Sequence, residues 1–401
     1  MNLKAGYPFS LIKNGLPYDY PKLENDLKTD VLIMGGGISG ALTAHYLVQE
    51  GIDCTLVDAR TIGLGSTCAS TSLLQYEIDT PLHKLMKMVG DKNAIGSYQL
   101  CAEAILKLED IAHKIGVEDF TRKKSLYFAA YKKDIQSLRK EYAARKEYGF
   151  NVNYLKEDEI QNQFGFTAPG AILSDLGAST DAYLFTHHLL RYNIKKGLEV
   201  YDRTTITSIR HTYKNVVLTT QNGYTIIAKK LVYATGYEVV NYIKEHIVSL
   251  HSTYATISEP FSSAPKFGNK NPMIWNTADP YLYLRTTKDN RIIIGGRDEK
   301  FYSPAKRDKL IASKTKQLTN DFKKLFPATL LIPEFSWTGT FGSTKDGLPF
   351  IGSYKNLPNS FFSLGFGGNG ITFSQIAGEI IAHLVKGKVD KNVHIFSFDR
   401  A

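Results

Sequence analysis

The stretch Val31-Leu32-Ile33-Met34-Gly35-Gly36-Gly37-Ile38-Ser39-Gly40 decides how this 401-residue chain is read. Val31 to Met34 is a short apolar run, and Gly35 to Gly40 fits the pattern G-x-G-x-x-G. Alone that pattern is weak; its surroundings give it weight. Ile38 to Gln49 carries helical periodicity with Gly51 as its stop. Ile52 to Val57 reads as a second strand, and Asp58 closes it 18 residues after Gly40. In such a βαβ unit Gly35 permits the tight turn, Gly37 lets the backbone approach a pyrophosphate, and Gly40 lets the helix pack on the strand. The helix N-terminus then faces the diphosphate, and Asp58 accepts from ribose hydroxyls.

Outward from this unit, a second match occurs at Gly365-Phe366-Gly367-Gly368-Asn369-Gly370, between a strand (Phe361 to Leu364) and a helix. No second strand closed by an acid follows it, so it reads as a close backbone approach to a ligand at a helix N-terminus. With one complete fingerprint and no separate nicotinamide site, the expected dinucleotide is FAD used as a redox cofactor. The strand ending at Tyr233 runs into Ala234-Thr235-Gly236. Residues 83–150 read as mostly helical, strands follow at 198–209, 215–220 and 224–233, and a β-rich stretch spans 247–298. Residues 305–325 read as a helix. Trp337 to Gly352 (WTGTFGSTKDGLPFIG) is dense in glycine and turn formers and reads as a loop leading into a short strand.

Strand and helix alternate at both ends of the chain but not in its middle. The expected fold class is α/β: a Rossmann-like FAD-binding domain built from discontinuous segments, with an inserted α+β substrate domain. The reading places a strap at 1–28, the cofactor domain at 29–82, 169–245 and 337–401, a helical part of the substrate domain at 83–168, and its β-sheet part at 246–336.

Composition bounds the alternatives. With 43% hydrophobic and 22% charged residues an ordinary packed core is expected. The net charge is +10, but the basic residues are scattered as pairs, which argues for solvated faces and against a nucleic-acid stripe. Cys54, Cys68 and Cys101 have neither paired spacing nor a histidine cluster, so disulfides and a metal site are not expected. No apolar run is long enough to span a bilayer, and the N-terminus lacks a signal-peptide pattern. A cytoplasmic location is expected.

The fingerprint, Gly65-Ser66-Thr67-Cys68-Ala69-Ser70-Thr71, the Ala-Thr-Gly element, TKDGLPFIG and GFGGNGIT occur in one order. Together they resemble the FAD-dependent D-amino-acid oxidase superfamily, which includes glycine, sarcosine and γ-glutamylputrescine oxidases. The resemblance spans about Tyr20 to Gly387. It implies that Gly35, Gly37, Ile38, Ser39 and Gly40 hold the pyrophosphate, and that Asp58, Ala59 and Arg60 hold the adenosine ribose. Gly65, Ser66, Thr67, Ser70 and Thr71 would follow the pyrophosphate and ribityl chain, Ile206 would face adenine, and Ala234, Thr235 and Gly236 would border the cofactor. Gly367, Gly368, Asn369, Gly370, Ile371 and Thr372 would reach the flavin ring. The implied chemistry is hydride transfer from a C–H beside nitrogen to flavin N5, followed by imine hydrolysis. The FAD would be held without a covalent bond.

The chain departs from the family at informative places. Where amino-acid oxidases carry an arginine that clamps the substrate carboxylate, this chain has Phe341, and a phenyl ring cannot make a bidentate ion pair. The strand RIIIGG lacks the lysine that sarcosine oxidases place near the flavin to activate oxygen, so the electron acceptor is either O2 or an unidentified carrier. Candidate substrate-site residues are His251, Tyr254, Tyr281, Tyr283 and Arg285, the last as a replacement clamp, with Gln75 and Glu77 as further lining. No obvious acid–base pair is visible. The leading expectation is oxidation of a C–N bond of a small amine or N-substituted amino acid. An FAD dehydrogenase of a 2-hydroxy acid or alcohol, and a low-turnover flavin-binding interaction protein, are the alternatives.

Overall fold

Leu27–Met34 and Cys54–Val57 are parallel neighbours joined by the helix Ile38–Gln49. In this computed structural model, which describes residues 1–262, 271–365 and 367–400, they belong to an eight-stranded sheet. Phe366, in the second glycine-rich match, and residues 263–270, in the β-rich stretch, lie outside the described residues. Glu199–Tyr201 flanks Cys54–Val57 in parallel. Thr225–Tyr233 runs parallel to Leu27–Met34 on the other side. The far edge of Thr225–Tyr233 is shared. Its first half pairs antiparallel with Val216–Thr220, and its last residues pair parallel with Ser360–Leu364. That fork carries a strand from the end of the chain to the centre of the sheet. The parallel strands therefore end side by side at Met34, Val57, Tyr233 and Leu364. Ligands of open α/β sheets bind outside such carboxyl ends.

Both faces of this sheet are covered, so its strands are apolar throughout. Val31 and Ile33 pack into the core that holds the helices, while Leu32 and Met34 pack into the core on the opposite face. The helices Ile38–Gln49 and Gly370–Val385 lie against each other closely enough that a Cβ on Gly378 would sit 3.0 Å from the Leu42 carbonyl oxygen.

A nine-stranded sheet forms the second layer. Its order is Lys4–Gly6, Pro333–Ser343, Ser249–Ser258, Ile292–Glu299, Tyr283–Thr286, Met273–Asn276, Ser125–Phe128, Ala171–Ser174 and Val152–Leu155. Three readings change here. Trp337–Ser343 is strand and not loop, because Thr338 and Thr340 alternate with glycine and aromatic residues and find partners on both edges. Lys4–Gly6 of the strap is an edge strand of this sheet, and Ala171–Ser174 pairs here and not with the cofactor segments. The 83–150 stretch contains the helices Asp91–Ile115 and Ile135–Glu147 together with the strand Ser125–Phe128.

Between this sheet and its helices Arg145 is fully buried. It pairs with Glu141 at 2.7 Å and Glu77 at 3.3 Å. Burial alone would raise the Glu141 carboxyl, but Arg145 and the hydrogen bonds from His83 outweigh it and bring it down to about 2.

Candidate active site

A cavity of about 500 Å³ opens at the carboxyl ends of the parallel strands, against the nine-stranded sheet. All residues expected to hold the cofactor line it except Gly40, Asn369 and Thr372. Gly35 has φ +120°, and a Cβ there would meet the Ala234 carbonyl oxygen at 2.3 Å, so only glycine makes this turn. Gly40 serves packing: its Cβ would lie 1.9 Å from the Gly35 carbonyl oxygen. Asp58 accepts from the Gly36 N–H at 2.6 Å and the Arg60 N–H at 2.7 Å. Each bond uses one oxygen, and a carboxylate retains further lone pairs for a sugar hydroxyl. Burial pushes its carboxyl up. Arg60 is fixed by Glu238 at 2.6 and 3.0 Å.

The loop after Asp58 is clipped from the nine-stranded sheet. Trp337 Nε1 donates to the Ala69 carbonyl at 2.9 Å, and Arg285 Nε donates to the Thr71 carbonyl at 2.7 Å. Thr67 Oγ1 accepts from the Ile38 N–H at 3.1 Å and so caps the fingerprint helix from this loop. Cys68 is buried here, and burial pushes its thiol up to about 11, a packed and unreactive sulfur.

Opposite the fingerprint, the second glycine-rich turn presents the N-terminus of Gly370–Val385. Asn369 Nδ2 donates to the Gln75 carbonyl and Thr372 Oγ1 to the Asn369 carbonyl, both at 2.8 Å, so these two side chains brace the turn and do not face the cavity. The Gly368 N–H is already engaged by Asp79 at 2.9 Å.

The wall from the nine-stranded sheet carries Thr253, Tyr281, Tyr283, Asp298 and Phe341. Tyr281 and Tyr283 have ring centroids 5.7 Å apart. Tyr283 lies across Gly295, where any side chain would collide with its ring. Burial raises both phenols, Tyr283 to about 12, so both stay neutral at ordinary pH. Asp298 reaches the cavity through a bulge. Ser252 pairs with Glu299 but Tyr254 pairs with Gly296, leaving one extra residue on Ile292–Glu299. Gly296 and Arg297 have φ +131° and +58° there. A bulge re-aims a side chain in this way. Burial pushes the Asp298 carboxyl up to about 7, against the hydrogen bond from Thr253.

Other expected substrate residues lie elsewhere. Tyr254 points to the opposite face of the sheet, into the core with Leu318 and Phe322, because side chains alternate along a strand and Thr253 takes the cavity side. Arg285 is buried, donates to backbone carbonyls of Thr71, Thr180 and Thr286, and borders a separate cavity. His251 is near the wall but is not part of it; its Nε2 lies 2.8 Å from Ser343 Oγ and its ring 5.2 Å from Phe341. Glu77 is committed to Arg145, whereas Gln75 lines the cavity. Asp298 was not among the expected residues. The paired glycines of Ile292-Ile293-Ile294-Gly295-Gly296 were the available signal, since glycine inside a strand marks a bulge.

Three residues that line this cavity, Gln75, Thr235 and Asp298, each carry a buried polar atom with no hydrogen-bond partner: Nε2, Oγ1 and Oδ1 respectively. Buried polar groups are normally paired, so a cavity lined with orphans is built for a polar ligand. With the glycine cradle and two converging helix N-termini, the residues fit a dinucleotide. Among the described residues no group of three His, Cys, Asp or Glu side chains is placed to hold a metal, and no helix is long and apolar enough to cross a membrane.

Comparison with known proteins agrees with this geometry. The model of one protein family, described as FAD dependent oxidoreductase, matches residues 30–384. The γ-glutamylputrescine oxidoreductase of Escherichia coli K12 is 23% identical over 94% of this chain and 87% of its own length. Among solved structures, an L-proline dehydrogenase from P. horikoshii has a TM-score of 0.79 at 20% identity, covering 93% of this chain and 97% of its own. A glycine oxidase from Geobacillus kaustophilus has a TM-score of 0.78 at 20% identity, covering 94% of this chain and 99% of its own.

Proposed function

This chain belongs to the FAD-dependent oxidoreductase family, and from that premise we propose that it oxidises a C–N bond of a small amine or N-substituted amino acid. Gly35, Gly37, Ile38, Ser39 and the loop Gly65–Thr71 hold the pyrophosphate and ribityl chain. Asp58 and Arg60 hold the adenosine end, with Ala59 and Ile206 beside it. Gly370, Ile371 and the helix dipole behind them face the flavin edge that gains negative charge. When bound, FAD supplies the acceptor for a hydride leaving the carbon next to nitrogen. The attachment is non-covalent, since Cys68, within the loop, is packed and protonated. Free, buried cysteines suit a reducing compartment such as the cytoplasm.

One observation carries the amine reading. Among the described residues that line the cavity, Arg60 is the lone Lys or Arg side chain, and it is tied to Glu238 beside Asp58. The wall that meets the substrate offers tyrosines, a phenyl ring and a carboxylate, but no cation to bind an acid group. The names of the related proteins, which specify an amine or amino acids, support the same reading. An anaerobic titration of the FAD-loaded protein with amines and with 2-hydroxy acids tests it. Loss of the yellow absorbance with amines is expected; loss with hydroxy acids alone overturns the reading. Oxygen consumption with the reducing amine then identifies O2 or another carrier as acceptor.

A further inference from the structure

We propose that Asp298 anchors the substrate as an ammonium ion and takes its proton, so that the substrate is an amine with no carboxylate on the carbon next to nitrogen. The inference rests on the amine reading given above. The Asp298 carboxylate lines the cavity on the sheet wall, and its Oδ1 is buried with no protein partner. An unpaired carboxylate oxygen is costly to bury, and the bulge that delivers it forces Arg297 into a left-handed backbone conformation that non-glycine residues avoid. A cation in the cavity is the complement this carboxylate lacks.

The surrounding charges agree. Asp79 and Asp279 add negative potential, Lys314 is a cation that acts on the group and opposes them, and Thr253, Tyr281 and Tyr283 present neutral hydroxyls. Arg285, the one candidate for holding a substrate carboxylate, is spent on backbone carbonyls outside the cavity. A carboxylate next to the amine would face Asp298 and the phenyl ring of Phe341 with no compensating donor cation. A simple ammonium would find a partner on one side and aromatic rings on the other.

The proton step is balanced. One N–H bond of the ammonium breaks, the proton passes to Asp298, and the nitrogen keeps the electron pair. The carboxylate becomes a neutral acid and the amine becomes neutral. That electron pair is what forms the C=N bond when the adjacent C–H is oxidised. Burial sets the carboxyl near 7, so it is ionised and ready to accept just above neutrality.

Two readouts on FAD-loaded protein test the proposal. Tetramethylammonium carries its charge at every pH and lacks a nitrogen electron pair, so it binds without turnover. Its affinity, read from perturbation of the flavin absorbance, is expected to fall about tenfold per pH unit below about pH 7. Asp298→Asn should weaken it at least about tenfold above that pH and abolish the pH dependence. With primary alkylamines, kcat/KM of the wild type should rise through about pH 7, and the variant should lose that limb. If amines reduce the flavin but the variant keeps the same affinity and pH profile, or if N-alkyl amino acids are preferred, the inference fails while the amine reading stands. If no amine reduces the flavin yet tetramethylammonium binds through Asp298, the anchor stands and the amine reading falls.

Discussion

Asp298→Asn should make the folded protein more stable, in a pH-dependent way whose sign follows from the structure. The carboxyl is raised from 3.8 to about 7 by burial, and its Oδ1 has no partner. A raised carboxyl means the folded state binds the proton more tightly than the unfolded chain. Below about pH 4 both states are protonated and the group costs nothing. As pH rises from about 4 to about 7 the unfolded chain ionises first, and the folded state loses stability relative to it. Above about 7 the loss is complete. A shift of about three pH units at about 1.4 kcal/mol each gives about 4 kcal/mol, and solvent in the open cavity reduces this to between about 2 and 4. Asparagine keeps the shape and removes the charge, so it should recover most of that loss. Thermal scans of FAD-saturated wild type and variant, without substrate, at about pH 5 and about pH 8 measure it. The variant should melt several degrees higher at the upper pH, with a clearly smaller gap at the lower one. An equal gap at both pH values would refute the reasoning, because it would mean that the carboxyl ionises near its ordinary value. Loss of activity with gain of stability is the expected mark of a functional residue.

Three further changes probe the rest of the molecule. Gly37→Val would bring a branched side chain to a position where a Cβ would lie 2.9 Å from Thr67 Oγ1, in the cleft proposed to take the pyrophosphate; purified variant should retain no FAD, and full flavin content would contradict the cofactor site. Phe341→Arg would put a cation on the cavity wall, so benzoate should perturb the flavin spectrum at lower concentration than in wild type, and an unchanged titration would argue against the position facing the substrate. Arg145→Met would leave Glu77 and Glu141 buried without their cation and should cost about 3–5 kcal/mol in thermal or chemical unfolding; adding Glu77→Gln and Glu141→Gln should restore most of it, because the loss comes from uncompensated charge.

Local periodicity and turn chemistry were enough to read the βαβ unit at Val31–Asp58. A tight turn at Gly35 and a close helix at Gly40 need glycine whatever surrounds them, so the signal lies in adjacent residues. The order of the separated motifs made the family and the discontinuous architecture legible in the same way. Alternation along strands was partly legible: Tyr281 and Tyr283 reach the wall, but Tyr254 faces the other core, since nothing local says which face of a strand meets the cavity. Arg285 looked like a replacement clamp because a cation near a site attracts that role. Only the fold shows its guanidinium bound to the carbonyls of Thr71 and Thr180.

Asp298 and Asp79 are far apart in sequence and neither resembles half of a catalytic pair. The bulge at Gly296–Arg297 turns Asp298 into the cavity, and the second glycine-rich turn brings Asp79 to the Gly368 N–H. What the sequence alone determined is the glycine turn from Gly35 to Gly40, because backbone conformation there depends on the residues themselves. What the tertiary structure decided is the chemistry of the cavity wall formed by the nine-stranded sheet. Burial pushes the Asp298 carboxyl up to about 7 against the hydrogen bond from Thr253, and that burial is a property of distant segments brought together.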